Sequence, residues 1–183
     1  MRVIIGVIIA LALISFLVKK VDFKLPQALP PSPQLALSFT GWQDVVNREY
    51  GYSLKMPHDW SQLQMEGEPA YPQRLQVVNV KPEEQQKPHV GIIVTVTVLN
   101  HQTLSELPEI TELIDAGHEP RQLTIAGSPA MFIDGLGESG EEFSVFITHQ
   151  DYVYRLDWFG THPDVRKQYK EVGLKILASL QFP

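Results

Sequence analysis

The chain has 183 residues, with 15 Lys and Arg against 21 Asp and Glu for a formal net charge of −6, and it has no cysteine. The acidic balance excludes a nucleic-acid surface, which needs a basic excess, and the missing cysteine excludes disulfides, thiolate metal sites and lipidated cysteine. With 44% hydrophobic and 20% charged residues, the composition is that of an ordinary globular protein.

Residues 1–24 form the first segment. Val3 to Val18 carries no charge, and Arg2 and the Lys19-Lys20 pair bracket it. This run is slightly shorter than the about 17 to 25 residues of a spanning helix, but snorkelling Arg2 and Lys19, with Val21 and Phe23, extend it. An uncleaved N-terminal transmembrane helix is therefore expected. The competing reading is a cleaved secretory signal using Ala10-Leu11-Ala12, which would leave Leu13 to Val18 as an apolar stub. Lys19, Lys20 and Lys24 against Arg2 favour a cytoplasmic domain by the positive-inside rule. The layout of short basic head, tether and C-terminal domain favours export. A single-pass membrane protein with its C-terminal domain extracytoplasmic is the expectation.

Residues 25–38 follow as a Pro-rich linker, with prolines at 26, 30, 31 and 33. Such a stretch prefers polyproline II at about 3.1 Å per residue and spaces the domain away from the bilayer. Pro30 and Pro33 also satisfy P-x-x-P, although spacer is the simpler reading.

Residues 39–183 leave about 145 residues for one domain, enough to bury about two thirds of its unfolded surface. Gln43 to Asn47 and Tyr52 to Met56 read as a hairpin, closed by Pro57, which has no N–H for a ladder and turns the chain so that Trp60 folds onto the core. Leu75 to Val80 is the next strand. Val90 to Leu99 alternates threonine with valine, which predicts a central antiparallel strand with one packed face and one that is polar or only lightly covered. Over Leu104 to Ala116 the period changes: Leu104, Leu107, Ile110, Leu113 and Ile114 are spaced for a helix, and Glu106, Glu109, Glu112 and Asp115 line a solvated face. Thr103 or Ser105 is the expected cap, and Gly117 the stop.

A β-meander comes next. Gln122 to Ile125 and Pro129 to Ile133 flank the turn Ala126-Gly127-Ser128, and Phe143 to Ile147 and Tyr152 to Trp158 flank Thr148 to Asp151. Thr161 then opens a closing helix whose Val165, Tyr169, Val172 and Ile176 face inward, with Arg166, Lys167 and Lys170 in water.

Several of these pieces together resemble PsbP-like domains. Glu49-Tyr50-Gly51-Tyr52 through Pro57 and Trp60 is similar to that family's opening strand and turn. Thr124 to Met131 resembles its Gly-containing turn, Tyr152 to Leu156 its aromatic strand, and Ile176 to Phe182 its ending, in the family's order over nearly all of residues 42 to 182. The resemblance implies an α+β domain, a single α/β/α sandwich with a central antiparallel sheet, shared with the Ran-binding Mog proteins. It also implies an accessory or assembly role, since the family's members act mostly as accessory subunits or are unassigned. The different leader means that a role in oxygen evolution is not implied.

Candidates for chemistry are few. Gly135-Leu136-Gly137-Glu138-Ser139-Gly140 spells G-x-G-x-x-G, but a strand follows it instead of a helix, and its acids would repel phosphate. Asp134, Glu138, Glu141 and Glu142 gather carboxylates that suit a hard cation without matching a calcium-loop spacing. His58, His89, His101, His118, His149 and His162 are single, with no ligand-pair spacing. Ser128 precedes Pro129 in a turn and lacks a strand-to-helix elbow. No catalytic residue, no cofactor and no defined metal ligand is assigned. The expected function is a membrane-tethered, non-enzymatic binding or assembly module with a protein partner. The alternative is an extracytoplasmic hydrolase or cation-dependent enzyme using the Asp134 to Glu142 carboxylates and the scattered histidines, a reading that a pocket gathering His58, Asp59 and Glu142 would strengthen.

Overall fold

The computed structural model describes residues 38–65, 67–68, 72–79, 91–100, 103–104 and 107–183. The expected anchor and all of the linker but Ser38 lie outside the described residues. Among the described residues, no helix is long and apolar enough to cross a membrane.

The domain is strand-rich. The chain passes through β1 (Trp42–Asn47), β2 (Tyr52–Pro57), β3 (Ser61–Met65), β4 (Gln73–Val78) and β5 (Ile92–Asn100), then α1 (Pro108–Asp115). It continues through β6 (Arg121–Ile125), β7 (Ser128–Leu136), β8 (Glu142–His149), β9 (Tyr152–Gly160) and α2 (Pro163–Ala178). β1 and β2 pair as a separate antiparallel hairpin, and the rest form a seven-stranded sheet in the order β3-β4-β5-β9-β8-β7-β6. Every pairing in it is antiparallel.

Period-two alternation decides what each sheet face carries. On one face Val94, Val96, Phe132, Phe143, Val145, Leu156 and Trp158 meet Leu54 and Met56 of the hairpin and Ile176 and Leu177 of α2. On the other, Leu99, Met131, Ile133, Phe146 and Val153 meet Leu107 and Ile110 of α1. One helix therefore covers each face.

Trp60 and Trp158 are 5% and 1% exposed, in agreement with the pattern reading. Trp158 stacks on Phe143 at 5.6 Å, and a Cβ added at Gly173 would land inside its indole, so α2 approaches the sheet closely only because residue 173 has no side chain.

Four local readings change. β3 was not visible in the sequence because Ser-Gln-Leu-Gln-Met lacks β-branched residues, and its pairing with β4 supplies the order. Thr95 and Thr97 of β5 are 6% and 3% exposed, so the face expected to be polar or only lightly covered is closely packed. α1 begins after Leu107 without a side-chain cap. α2 likewise has His162 as an uncapped N-cap, and the hydroxyl of Thr161 instead accepts the Gly91 N–H at 2.8 Å, tying the end of β9 to the start of β5.

Candidate functional site

The two ends of the seven-stranded sheet carry different chemistry. At one end the β7–β8 loop, residues 137–141, faces the first turns of α2. Asp134 accepts from Lys170 Nζ at 3.0 Å, Glu141 lies 3.5 Å from the same ammonium, and Glu142 lies 3.2 Å from Arg166 Nε. Arg166 also donates to the Gly160 carbonyl at 2.7 Å and to Ser139 Oγ at 3.0 Å. Arg166 and Lys170 were expected on the wet side of the helix. They sit one helical turn apart and reach back to neutralise the loop, with side chains 13% and 24% exposed.

That arrangement accounts for the glycine-rich motif. Gly135, Gly137 and Gly140 all take positive φ, and the register shifts between Asp134 and Leu136, so the glycines serve a bulged loop and no helix N-terminus follows them. Glu138 is exposed. His58 and Asp59 lie exposed in the turn after β2, whereas Glu142 is engaged by Arg166. Among the described residues, no three His, Asp or Glu side chains converge as a metal site. His89 and His101 lie outside the described residues.

The opposite end is aromatic. Here the β1–β2 turn, the β6–β7 and β8–β9 turns and the C-terminal segment come together. Tyr50 meets Tyr152 edge-on at 5.6 Å, Tyr152 meets Tyr154 at 6.3 Å, and Tyr154 meets Tyr52 at 5.9 Å. Phe182 closes the group, 4.8 Å from Tyr154 and stacked on His149 at 4.2 Å.

The inner members are held by hydrogen bonds. Tyr52 donates to Gln73 Oε1 at 3.1 Å, and Tyr154 donates to the Tyr50 carbonyl at 2.6 Å. Burial pushes the Tyr52 hydroxyl up to about 12, against the pull of its hydrogen bonds to Asn47 and Gln73. Burial also raises Tyr154 and Tyr50. The outer members, Tyr50, Tyr152, His149 and Phe182, are half-buried.

A serine and a histidine do meet at this end: Ser128 Oγ and His149 Nδ1 are 2.8 Å apart. Spacing along the chain could not reveal the pair, because the β7–β8 register brings the two residues together from positions 21 apart. The geometry is structural. Ser128 is 4% exposed and His149 Nε2 is buried without a hydrogen-bond partner, so the hydroxyl is closed to a substrate and no carboxylate orients the ring.

A third polar group lies on the α1 face of the sheet. Asp157 accepts from Ser144 Oγ at 2.6 Å and Arg155 Nε at 2.9 Å, beside buried Thr95 in the same cross-strand row. Both donors converge on one carboxylate oxygen, Oδ1, which suits a half-buried polar tie across the strands.

Of the three, the aromatic end suits recognition. Half-exposed tyrosines on a rigid frame present apolar area with a polar tip at small entropic cost. No protein-family model matches the sequence. No curated protein matches it either. Among solved structures, the solution structure of cyanobacterial PsbP (CyanoP) from Synechocystis sp. PCC 6803 is similar, with a TM-score of 0.52 and 14% identity. The match covers 81% of this chain and 96% of that one. At that identity the likeness speaks for architecture alone, and the domain has a PsbP-like fold.

Proposed function

We propose that this chain is a membrane-tethered, non-enzymatic, extracytoplasmic binding or assembly module that engages a protein partner through the aromatic end of its sheet. The fold likeness over 81% of the chain carries the reading, because the PsbP-like resemblance in the sequence implies accessory roles. The uncharged run Val3 to Val18 and the prolines between residues 26 and 33 supply an anchor and a spacer. Tyr50, Tyr152 and Phe182 supply a surface of the residue type that dominates interface energetics.

The test uses the full chain as bait in detergent-solubilised membranes, beside a Tyr50→Ala/Tyr152→Ala variant. The parent should sediment with membranes and retain a stoichiometric partner that the variant loses. A parent that stays soluble after cell fractionation removes the tether, and equal capture by parent and variant removes the aromatic end as the docking face.

A further inference from the structure

We infer that the outer edge of β6 is a strand-addition site for an extended peptide segment carrying basic residues. The inference rests on reading the chain as a binding module and names the chemistry of one partner segment. β6 ends the sheet order, and among the described residues no backbone group outside the sheet bonds to residues 121–125. A row of main-chain donors and acceptors in that position accepts an extended strand and little else.

The edge lacks the usual guards. It has no proline, lysine or register shift, and residues 121–124 are exposed. Its single charge is turned back over the sheet: the Arg121 guanidinium lies 4.7 Å from the Phe132 ring centroid and 3.7 Å from Asp134. The contrast with β2 is direct, since the chain closes that strand's outer edge itself through Ser53 and Gln181, which exchange backbone bonds of 2.9 and 2.8 Å. β6 has no such strap among the described residues.

Side chains set the partner's chemistry. Leu123, 41% exposed, lies in one row with Ala130 and Ile147 on the α2 face, so the residue beside it on an added strand should be apolar. Glu112, Asp115 and Glu119 are exposed on α1 and on the link that enters β6, and no basic side chain pairs with them among the described residues. Glu119 stands two residues before β6, so a lysine or arginine flanking the added strand at that end is drawn to this acidic link. A second copy of the chain is disfavoured, because each brings a formal charge of −6.

The probe is a capped peptide of alternating valine and threonine with lysine at both ends, compared with its glutamate-ended counterpart, on the full chain. At millimolar concentration the lysine peptide should slow amide exchange in β6 about tenfold, and the glutamate peptide should not. Leu123→Lys, which places a guard charge on an exposed position, should abolish the effect while near-ultraviolet circular dichroism stays unchanged. Gln122→Pro should do the same, and Leu123→Lys keeps the test valid if the proline disturbs pairing with β7. No slowing by either peptide, or equal slowing by both, overturns the proposal. So does protection that rises with protein concentration in the absence of peptide, which would mean self-association. If the peptide fails while capture that depends on Tyr50 and Tyr152 persists, the binding-module reading stands and the β6 site falls.

Discussion

The two ends of the sheet are stabilised by opposite means. At the α2 end, five ionic side chains, Asp134, Glu141, Glu142, Arg166 and Lys170, hold the loop to the helix while remaining partly in water. At the other end neutral rings pack edge to face, and buried hydroxyls are spent on Gln73 and a backbone carbonyl. Exposed ion pairs are screened and carry little free energy, whereas buried aromatic area is expensive to remove. Substitutions and solution conditions should therefore separate the two ends cleanly.

The largest effect belongs to the aromatic end. Tyr52→Ala should cost about 3 to 5 kcal/mol, because it empties a site 1% exposed beside Tyr154 and leaves Gln73 without its donor. Outside that end but in the same core cluster, Trp60→Ala and Trp158→Ala should also cost about 3 to 5 kcal/mol. Denaturant unfolding measures all three, and a loss under about 1 kcal/mol for Tyr52 would mean that the end collapses freely around the gap.

Alkali should act on the same end. The Tyr52 hydroxyl is held near 12 in the folded chain against 10.0 for an unperturbed tyrosine. Between those values the unfolded chain loses its proton and the native chain keeps it, so the contribution is complete below pH 10 and disappears as pH rises toward 12. Tyr52→Phe should cost about 0.5 to 1.5 kcal/mol at neutral pH and make stability fall less steeply in that window. An unchanged pH slope in the phenylalanine variant would assign the alkaline loss to Tyr50 or Tyr154.

How much of this was legible in the sequence follows from the range over which each pattern acts. Alternation within a strand revealed β2, β5 and the β6-to-β9 meander, and a turn of Ala126 and Gly127, both at positive φ, joins β6 to β7 where the glycine suggested a turn. The aromatic end was illegible as a unit because its members run from Tyr50 to Phe182 and only the register aligns them. The ionic end left a usable signal: Arg166 and Lys170 stand four apart on one helix, and a loop with several acids precedes it. Helical spacing alone places both bases in water, because it does not say which polar face has a charged neighbour. β3 left almost none, since an edge strand of glutamines resembles a loop.

At the ionic end, the most embedded pair should yield a smaller and salt-dependent loss. Glu142→Gln weakens the contact to Arg166 but leaves that guanidinium bound to the Gly160 carbonyl, so a cost of about 1 kcal/mol is expected. Raising the salt concentration to about 1 M, where screening acts over about 3 Å, should shrink the gap between parent and variant. A cost above about 3 kcal/mol, unaffected by salt, would place this pair with the buried ties instead.

The smallest effect tests whether the loop is only a loop. Glu138 is exposed without a partner among the described residues, and Glu141 approaches Lys170 only at 3.5 Å while Asp134 holds the same ammonium at 3.0 Å. Replacing Glu138 and Glu141 together with glutamine should therefore change stability by no more than about 0.5 kcal/mol. The same melt is run with and without millimolar Ca²⁺, because a cation held by these carboxylates would stabilise the native state by mass action. Lys170 and Arg166 already neutralise Asp134 and Glu142, and a cation entering the loop would have to displace both. Calcium should thus leave the melting temperature of parent and variant alike. A rise of several degrees in the parent, absent from the double variant, would overturn the assignment and make the ionic end a regulated site.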